Sequence, residues 1–545
     1  MTNGGQGLRP TRSFGWLLWI VLGAIWFATM PVRPLVDPDE GRYAEIPREM
    51  AATGDWITPR LNGLKYFEKP PLQYWATAAS YSVFGLSEWT ARLWTVGLGF
   101  LCLPMIFGWT ARLYGQGAGF AAVAALAVSP YFELIAHLNI LDSGFAFFLA
   151  GAVFAFTLGQ SSPEGSSSER RWMLLAWLAA ALAVLSKGIV VGVLTGATLV
   201  AYTVVERDAR PWRRLHLMLG LPLFLLVTVP WFVAVSARNP SFAQFFFVHE
   251  HFARFLTKVH KRTEPWWYFL SLLAIGALPW LLTVPAALRR SWLERSGEYQ
   301  FKPLKFILIF SGVTLLFFSI SESKLAPYIL PMMPTLAAVI GASVAESPTF
   351  VRTMARVTGV LMPFMAVGFV IYTMRRYGFF PQTAVHWLIA AVSAGAYGIW
   401  ATWKRDVPPA AAVWATAASA ILGWQCLLSA YTELPERSSY KLVMTIKPLI
   451  GPQTELFSVG QYRETLSPYL NRTLTLVDFQ GELEFGLSEE PSRGLTTEAF
   501  LAHWNASTNA VAFFAPGILD EWRSNRGFQG RVIGGDNQTL VVSRL

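Results

Sequence analysis

Two charged segments interrupt a chain that is otherwise largely apolar, and their residue types could do chemistry. Asp37-Pro38-Asp39-Glu40 follows the first apolar stretch, and Phe67-Glu68-Lys69-Pro70-Pro71 precedes a later one. Charged residues are only 14% of the chain, and carboxylates beside a bilayer are costly, so they are often kept for a function. Asp39 could act as a general base, bind a cationic group or hold a metal ion. The simpler interpretation is that these acids stabilise a helix N-terminus.

The second segment is a candidate phosphate site. Its double proline favours an extended backbone before the next helix and so fixes the direction of Lys69. The Lys69 ammonium could bind a phosphate, or it could form a surface ion pair with Glu68 that contributes little energy. Tyr66 and Glu40 adjoin the two segments, and we predict that both contact substrate.

Two further ionisable residues lie between apolar stretches. Asp142 follows His137-Leu138-Asn139-Ile140-Leu141 in a short loop, where it could cap a helix or take part in catalysis. Lys187 is the only charged residue in the segment 172–204, so it must reach the interface, form an ion pair or bind a ligand. We expect a phosphate or a carboxylate as its partner.

The segment 249–254, His-Glu-His-Phe-Ala-Arg, has metal-ligand residue types without the spacing of a zinc-protease motif. Residues two apart do not share a helix face, so two histidines of this segment are not expected to bind one metal. His249, or less favourably His251, could instead hold a zinc ion together with Glu68. Arg254 is a candidate for a lipid phosphate, because a guanidinium can contact two phosphate oxygens.

A sixth segment, Ser321-Glu322-Ser323-Lys324, precedes Pro327-Tyr328 at the end of an apolar span. Lys324 and Tyr328 could simply anchor that span in the membrane interface. Because five other ionisable segments have similar positions, we predict that Lys324 and Tyr328 line a substrate site.

The composition predicts a polytopic membrane protein. The 545 residues are 53% hydrophobic, the mean hydropathy is +0.40, and each crossing needs about 20 mainly apolar residues. The segment Leu72 to Phe84 is short and partly polar, which favours a helix in the interface. Thirteen apolar spans are predicted, at 14–32, 90–111, 117–136, 141–160, 172–186, 188–206, 215–236, 265–287, 304–321, 325–344, 354–373, 383–403 and 409–429.

The charge distribution predicts which side each loop occupies. With the N-terminus inside, thirteen crossings place most arginine-rich loops in the cytoplasm, as the positive-inside rule requires, although Arg375-Arg376 and the segment 258–262 fall outside. All six ionisable segments then face the outer side, as expected of one active site. Cys102 and Cys426 lie inside apolar spans, so no disulfide is predicted.

The last part of the chain differs from the rest. Residues 431–545 are polar and predict a small outer α/β domain after a membrane domain of residues 1–430, whose outer loop is 33–89. The predicted strands are 454–459, 473–477, 510–514 and 539–542, and the predicted helices are 462–470, 496–504 and 517–523. No motif in this domain indicates chemistry.

Taken together, these motifs resemble the membrane glycosyltransferases that use polyprenyl-phosphate sugars and share the GT-C fold. The resemblance covers the membrane part, and its motifs are Asp39-Glu40, Glu68-Lys69-Pro70-Pro71, Ala91-Arg92-Leu93, Asp142, and Ser323-Lys324 before Pro327-Tyr328. Within that group, the segment 249–254 and the outer domain are most similar to the lipid A aminoarabinose transferases.

This resemblance implies a polytopic α-helical protein of the bacterial inner membrane. It would transfer 4-amino-4-deoxy-L-arabinose from undecaprenyl phosphate to lipid A phosphates at the periplasmic face, which lowers surface negative charge and gives polymyxin resistance. Asp39 would be the key carboxylate, Lys69 and Arg254 would hold the carrier phosphate, and Glu68 with His249 could bind zinc. The expected partners are the lipid-linked donor, lipid A and membrane lipids, with a monomeric protein and no nucleic acid.

The acceptor decides what Asp39 has to do. A phosphate acceptor is already ionised near neutral pH, so Asp39 would position it, stabilise oxocarbenium charge or bind the sugar's ammonium. A hydroxyl acceptor would need Asp39 as a base, and the chain would then be a protein O-mannosyltransferase that uses polyprenyl-phosphate mannose. A secondary transporter is a further alternative, but transporters place ionisable residues near the bilayer midplane within repeats, and no repeat is evident.

Overall fold

The structure is a computed structural model that describes residues 12–253, 264–278, 280–295, 301–344, 348–378, 382–404, 409–479 and 481–544. Helices dominate it. In chain order, α1 to α23 are Arg12–Phe27, Asp39–Thr53, Leu72–Phe84, Glu88–Tyr114, Gln116–Ala127, Pro130–Ala136, Asp142–Gln160, Ser167–Lys187, Val190–Glu206, Arg210–Arg213, Leu217–Arg238, Tyr268–Gly276, Val284–Trp292, Pro303–Ile320, Met332–Val344, Pro348–Tyr377, Gln382–Trp403, Pro409–Thr432, Tyr440–Ile446, Leu466–Leu470, Glu484–Glu489, Thr497–Ala506 and Pro516–Arg526.

Short strands and tighter or wider helical turns complete the described elements. The strands β1 to β8 are Arg60–Leu61, Leu64–Lys65, Glu455–Val459, Thr475–Val477, Gly494–Leu495, Ala510–Phe514, Arg531–Gly535 and Leu540–Ser543. A π-helix spans Gln244–Ala253, and 3-10 turns lie at Trp280–Thr283, Ala326–Ile329, Pro435–Arg437, Lys447–Leu449 and Pro491–Arg493.

The chain divides into two compact units that do not follow the predicted domain boundary. The membrane unit contains residues 1–30 and 94–428, and the outer unit contains residues 31–93 and 429–545. The loop predicted at 33–89 therefore packs with the C-terminal residues in one unit. Ion pairs between Arg463 and Asp37 (3.2 Å) and between Arg60 and Glu490 (3.0 Å) join the two parts of the outer unit.

Among the described residues, seven helices are long and apolar enough to cross a membrane, or up to nine if each bent pair is one span. The first bent pair is α5 with α6, which meet at 69°. The other four of the thirteen predicted spans fall on α1, α8, α9 and α15. Of these, α8 begins with the charged run Glu169-Arg170-Arg171, and the other three provide only short apolar stretches. For these four helices, crossing stays a prediction.

The membrane unit is held together by close helix packing. Helix α5 packs on α15, and a side chain at Gly341 would overlap the backbone of Ala122. The helices therefore approach as closely as only glycine permits. A buried polar network adds specificity, because Nε2 of His137 contacts the side chain of Gln425 (2.8 Å), which also bonds Thr29.

The C-terminal part of the outer unit contains a six-stranded sheet in the order β5-β4-β3-β6-β8-β7. Strands β5, β4, β3 and β6 are parallel, β8 runs antiparallel to β6, and the edge strand β7 runs antiparallel to β8. Its core is largely aromatic, with Phe500, Trp504 and Phe514 fully buried. The predicted α/β domain is confirmed here, and each of the four predicted strands overlaps an observed one.

Candidate functional site

Asp39 is the first residue of α2, and its carboxylate is held in place while staying accessible. Its Oδ1 accepts a hydrogen bond from Arg42 Nη1 at 2.8 Å, one turn along the helix. The Asp39 side chain is 56% exposed, whereas that of Arg42 is 10% exposed. The helix N-terminus also favours a negative charge at this position. The arrangement therefore presents a fixed, solvent-accessible carboxylate.

Arg42 connects this carboxylate to the C-terminal part of the outer unit. Its guanidinium pairs with Glu482, and Arg42 Nε lies 3.3 Å from Glu482 Oε1. Burial lowers the pKa of Arg42, but Tyr66, Glu482, Asp39 and Glu68 oppose this, and the net pKa lies well above the ordinary value. Arg42 is thus a permanent cation. It is held by Glu482 and in turn holds the Asp39 carboxylate in place.

A second acid, Glu464, lies beside Glu482. Burial raises the pKa of Glu464 well above its usual range, and the neighbouring Glu482 raises it further. The protonated Glu464 carboxyl can donate a hydrogen bond to the Glu482 carboxylate. The outer unit therefore contains a carboxyl group that favours its neutral form.

The raised pKa of Glu464 predicts that the protein loses stability as pH rises above the ordinary pKa of a glutamate. An acid whose pKa is raised by folding stabilises the native state below its unfolded pKa, and this stability is lost as pH rises through the native pKa. The loss should therefore begin above the ordinary value of 4.5. Glu464→Gln keeps a donor for Glu482 without a proton to lose, so its thermal midpoint should fall less between pH 5 and pH 8.

Tryptophan fluorescence during heating in detergent would measure this difference. Glu498→Gln is the matched control, because the Glu498 side chain is 80% exposed and lies 3.9 Å from Arg526. We expect this control to keep the wild-type pH dependence. Equal pH dependence in wild type and Glu464→Gln would contradict a neutral Glu464.

The Glu68-Lys69 segment lies in the same unit. Lys69 Nζ is 3.7 Å from Glu68 Oε2 and donates to the Glu68 carbonyl oxygen at 2.9 Å. Tyr66 is buried, and burial raises the pKa of its hydroxyl well above the usual range, with Arg42 lowering it and Glu68 raising it. Asp39, Tyr66 and Glu68 therefore share the electrostatic field of Arg42.

Glu40 has a structural position that differs from the predicted substrate contact. Its carboxylate is 1% exposed and accepts two hydrogen bonds from Arg92, at 2.8 and 2.6 Å. Arg92 also donates to the carbonyl oxygens of Arg33 and Pro34, at 2.6 and 2.8 Å. The reason is geometric, since Glu40 points into the unit while Asp39 points out of it. Glu40 fastens the start of α2 to the start of α4.

In the membrane unit, the structure brings together Asp142, Lys187 and Tyr328. Asp142 begins α7 and Lys187 ends α8, and their side chains form an ion pair in which they are 12% and 11% exposed. Lys187 Nζ also lies 4.5 Å from the centre of the Tyr328 ring. Both charges suit the dipoles of their own helices. Three residues from separate loops of the sequence thus form one cluster.

Lys324 lies in the loop after α14 and is only 8% exposed. Its Nζ donates to the Ser321 carbonyl oxygen at 2.7 Å. Within the part of the chain that the structure describes, Lys324 forms no ion pair. A buried ammonium with one carbonyl partner has donors available for an anion.

The predicted zinc ligands are only partly described. His249 lies in the π-helix, with Nδ1 3.5 Å from Glu250 Oε1 and its ring stacked on Phe245. The side chain of His251 and the whole of Arg254 lie outside the described residues. No group of three potential ligands is found among the described histidines, cysteines and acids. The Lys69 ammonium also lies 3.7 Å from the Glu68 carboxylate. Its positive charge disfavours a metal ion bound to that carboxylate.

Two residues of the Asp39 cluster were missed from the sequence. Arg42 had a detectable signal, since it lies three residues after Asp39 on a predicted helix start, the spacing of an ion pair. Glu482 had none, because it lies in a different part of the chain and carries no local motif.

The geometry supports group transfer with charged intermediates. A held carboxylate can stabilise positive charge, and buried or paired lysines can bind an anion as it leaves. The clusters lie outside the apolar stretches of the helices, at their ends, so their ligands should have a polar head.

Comparisons with known proteins place these features in a wider group. A family model described as "Aminoarabinose transferase C-terminal domain" matches residues 442–544, and one described as "Dolichyl-phosphate-mannose-protein mannosyltransferase" matches residues 13–246. The undecaprenyl phosphate-alpha-4-amino-4-deoxy-L-arabinose arabinosyl transferase of Pseudomonas paraeruginosa is 30% identical over 499 residues, covering 87% of this chain and 86% of that relative.

Solved structures agree over nearly the whole length. The crystal structure of ArnT from Cupriavidus metallidurans bound to undecaprenyl phosphate has a TM-score of 0.87 at 33% identity, covering 98% of this chain and 99% of that one. The oligosaccharyltransferase AglB from Archaeoglobus fulgidus has a TM-score of 0.52 at 12% identity, covering 92% and 69% of the two chains. At that identity, the likeness to AglB concerns the fold alone.

Proposed function

Because the chain belongs to the family of undecaprenyl phosphate-alpha-4-amino-4-deoxy-L-arabinose arabinosyl transferases, we propose that it transfers this aminosugar to a phosphate group of lipid A. The main support is the likeness to a transferase solved with undecaprenyl phosphate, which extends over 98% of the chain and includes the outer unit. The chain is thus a lipid-linked-sugar-dependent glycosyltransferase, and the transporter alternative no longer applies.

The reaction exchanges one bond at the anomeric carbon of the sugar. The bond from this carbon to the carrier phosphate oxygen breaks, and the phosphate leaves with the bonding electrons. An acceptor phosphate oxygen forms the new bond. Since that acceptor is already ionised near neutral pH, no proton has to be removed.

Asp39 stabilises the positive charge that develops on the sugar. The charge is greatest when the old bond is largely broken, so a carboxylate fixed by Arg42 acts mainly in the transition state. Arg42 is a positioning residue, because it holds the carboxylate and has Glu482 as a second partner.

Cationic side chains stabilise the leaving phosphate. Lys69 follows the accessible Asp39 cluster in the same unit. Arg254 completes this set in the proposal on the basis of its sequence position. The zinc ion stays a prediction, no step is assigned to it, and loss of transfer after dialysis against a chelator would test it.

Lys69→Ala should weaken binding of undecaprenyl phosphate. Losing a charged partner of a phosphate costs roughly 1.5–3 kcal/mol of binding free energy. We therefore expect the loss of the Lys69 ammonium to weaken carrier affinity about 10- to 150-fold. Arg254→Ala should have an effect of the same size, and the two should be non-additive because they contact one anion. Binding of the carrier to purified protein in detergent is the measurement.

Lys65→Ala is the matched control for Lys69. Lys65 lies in the same segment but pairs with Glu489 at 3.3 Å, so its loss should leave carrier affinity unchanged. If Lys69→Ala and Arg254→Ala both bind the carrier like wild type, these residues belong instead to the acceptor site.

We also propose that the outer unit and the active site face the periplasm. The support is the asymmetric distribution of arginine and lysine in the loops. A cysteine introduced between Leu86 and Glu88 should react with a membrane-impermeant reagent added from the periplasm, as should one after Ala430. A cytoplasmic result for the first position would make α3 a crossing and separate the clusters by the bilayer.

Mass spectrometry of lipid A tests the acceptor directly. Cells that lack their own enzyme and make the donor should gain lipid A species heavier by one aminopentose when they express this chain. Unmodified lipid A, together with glycosylated membrane proteins, would favour the O-mannosyltransferase alternative suggested by the match to residues 13–246.

A further inference from the structure

The membrane unit has an apolar groove along α7 and α8, whose lining begins about five residues beyond the Asp142–Lys187 pair and continues toward the other ends of these helices. It lies between α4, α7 and α8 and has a volume of about 500 Å³. Its lining includes Met105, Gly108, Phe147, Gly151 and Leu175. Gly108 and Leu175 are exposed, so the groove opens on the side of the protein that a bilayer would cover.

The groove has the length of one bilayer leaflet. Its lining along α8 runs from Trp172 to Leu182, which is about 15 Å at 1.5 Å per residue. The hydrocarbon core of a bilayer is about 30 Å thick. An extended acyl chain of a single leaflet therefore matches the groove, whereas a helix crossing the whole membrane would extend beyond it.

One end of the groove is basic. Arg112 lines it and lies with its guanidinium 5.8 Å from the centre of the Trp172 ring. Arg170 and Arg171 directly precede Trp172 and are exposed, as is Arg112. None of these three arginines forms an ion pair in the described part of the chain.

Two acids close to this end in the chain or in space have partners of their own. Glu169 is bound by Arg214 at 3.0 Å, and Glu294 accepts a hydrogen bond from Tyr114 at 2.6 Å. Basic pockets between membrane helices at the cytoplasmic side are suited to anionic lipid headgroups. The charge-rule orientation places Arg112 on that side, away from the proposed active site.

We propose that this groove binds an anionic phospholipid of the cytoplasmic leaflet. One acyl chain lies along the apolar lining, and the phosphate lies beside Arg112, with the Trp172 ring at the level of the headgroup. The lipid is a bound component of the fold and not a substrate of the transfer reaction. Gly108 and Gly151 line the groove without side chains, and this leaves the space that the acyl chain occupies.

Two variants separate the headgroup contact from the acyl-chain contact. Arg112→Gln removes the charge and should lower affinity for phosphatidylglycerol about 10- to 100-fold, while affinity for phosphatidylcholine with the same chains stays unchanged. Gly108→Leu fills the groove and should weaken both lipids. A Cβ at Gly108 meets no atom within 4 Å, so this substitution should be tolerated.

Matched control substitutions are available outside the groove. A Cβ at Gly97, also on α4, meets no atom within 4 Å, and Gly97 does not line the groove. Arg207 is an exposed arginine after α9 that also lies outside it. Gly97→Leu and Arg207→Gln should bind both lipids like wild type.

Native mass spectrometry of the full chain, purified in detergent and titrated with each lipid, provides the measurement. We expect the tightest bound lipid to be phosphatidylglycerol in wild type and in both controls. Equal affinity for the two lipids in wild type, or full phosphatidylglycerol binding by Gly108→Leu, would overturn the proposal. Equally tight binding of glycerol 3-phosphate alone would also overturn it, because that ligand has no acyl chain.

Two further outcomes are decisive. A dimer that dissociates in Gly108→Leu without any lipid effect would mean that the groove holds a second copy of the chain. If Gly108→Leu elutes as aggregate, Gly108→Ala replaces it, and this smaller side chain should cause a smaller loss of affinity for both lipids. No loss in a well-folded Gly108→Ala together with no loss in Arg112→Gln would reject the site.

Discussion

Asp39→Asn should leave a folded, membrane-inserted protein whose transfer activity is at least about 100-fold lower, as for loss of a positioned catalytic group. Asparagine has almost the same shape as aspartate but no charge. It can still accept a hydrogen bond from Arg42, so the local structure should persist. The lost quantity is the negative charge that stabilises the sugar cation during transfer.

The kinetic pattern distinguishes this role from a structural one. We expect the turnover number to fall while affinity for undecaprenyl phosphate stays within a factor of a few, because Asp39 acts in the transition state. Asp39→Glu keeps the charge but displaces it, and it should restore only part of the turnover. If Asp39 only stabilised the helix N-terminus, its substitution would lower the free energy of unfolding by about 0.3–1 kcal/mol and leave the turnover number unchanged.

Glu489→Gln provides the control in the same unit. Glu489 forms a partly exposed ion pair with Lys65, so removal of its charge should leave transfer unchanged. Transfer measured with lipid A and the purified donor is the assay. Wild-type turnover in Asp39→Asn would reduce Asp39 to a helix-end residue, and Asp142 would become the next candidate.

Local sequence patterns predicted those parts of the fold that depend on local interactions. The GT-C fold is confirmed by the likeness to ArnT and AglB, and the strand predicted at 510–514 matches β6, Ala510–Phe514. Every residue of β6 is buried, so its apolar run was easy to recognise. Strand β7 was missed because Arg531–Gly535 contains two glycines and is partly exposed, with a bulge between Val532 and Gly534.

The grouping of the first outer loop with the C-terminal residues could not be predicted. It depends on pairs such as Arg42 with Glu482 and Asp37 with Arg463, whose members are more than 400 residues apart. No hydrophobic periodicity reports such contacts, since both partners are polar residues in loops or at helix ends. The domain boundary predicted at residue 430 followed composition alone.

In the candidate site, too, single residues were predictable from local sequence, whereas their grouping in space was not. Asp142, Lys187 and Tyr328 were chosen separately, and the structure places them in one cluster because the helix ends of α7 and α8 meet. Asp39 was predicted as the key carboxylate and Glu40 as a substrate contact, but the two residues are adjacent and chemically alike, so the sequence did not indicate that Glu40 is buried. Their side chains leave the helix start in opposite directions. The Asp39 carboxylate is therefore accessible, whereas the Glu40 carboxylate is buried against Arg92.

Glu40→Gln should destabilise the outer unit by about 3–5 kcal/mol, the usual result of breaking a buried ion pair. Glu40 and Arg92 are 1% and 0% exposed, so water cannot replace the lost partner. Arg33 makes the loss worse, since it is also buried. Burial, the positive charge of Arg92 and the opposing effect of Glu40 together lower the pKa of Arg33 to about 9.

Arg92→Met should therefore cost less than Glu40→Gln. Without Arg92, the Glu40 carboxylate keeps a neighbouring cation in Arg33, whereas Glu40→Gln leaves two buried arginines facing each other. The double variant Glu40→Leu with Arg92→Met leaves no unpaired carboxylate and should recover part of the stability lost in Glu40→Gln. The carbonyls of Arg33 and Pro34 lose their donor in this variant, which keeps recovery incomplete.

Unfolding in mixed micelles of SDS and a mild detergent, followed by tryptophan fluorescence, would measure these free energies. Glu498→Gln is again the control, and as a surface pair it should change stability by less than about 1 kcal/mol. A loss in Glu40→Gln no larger than in this control would mean that the pair is not buried as described. Equal losses in Glu40→Gln and Arg92→Met would remove Arg33 from the explanation, because its charge is what makes the two substitutions unequal.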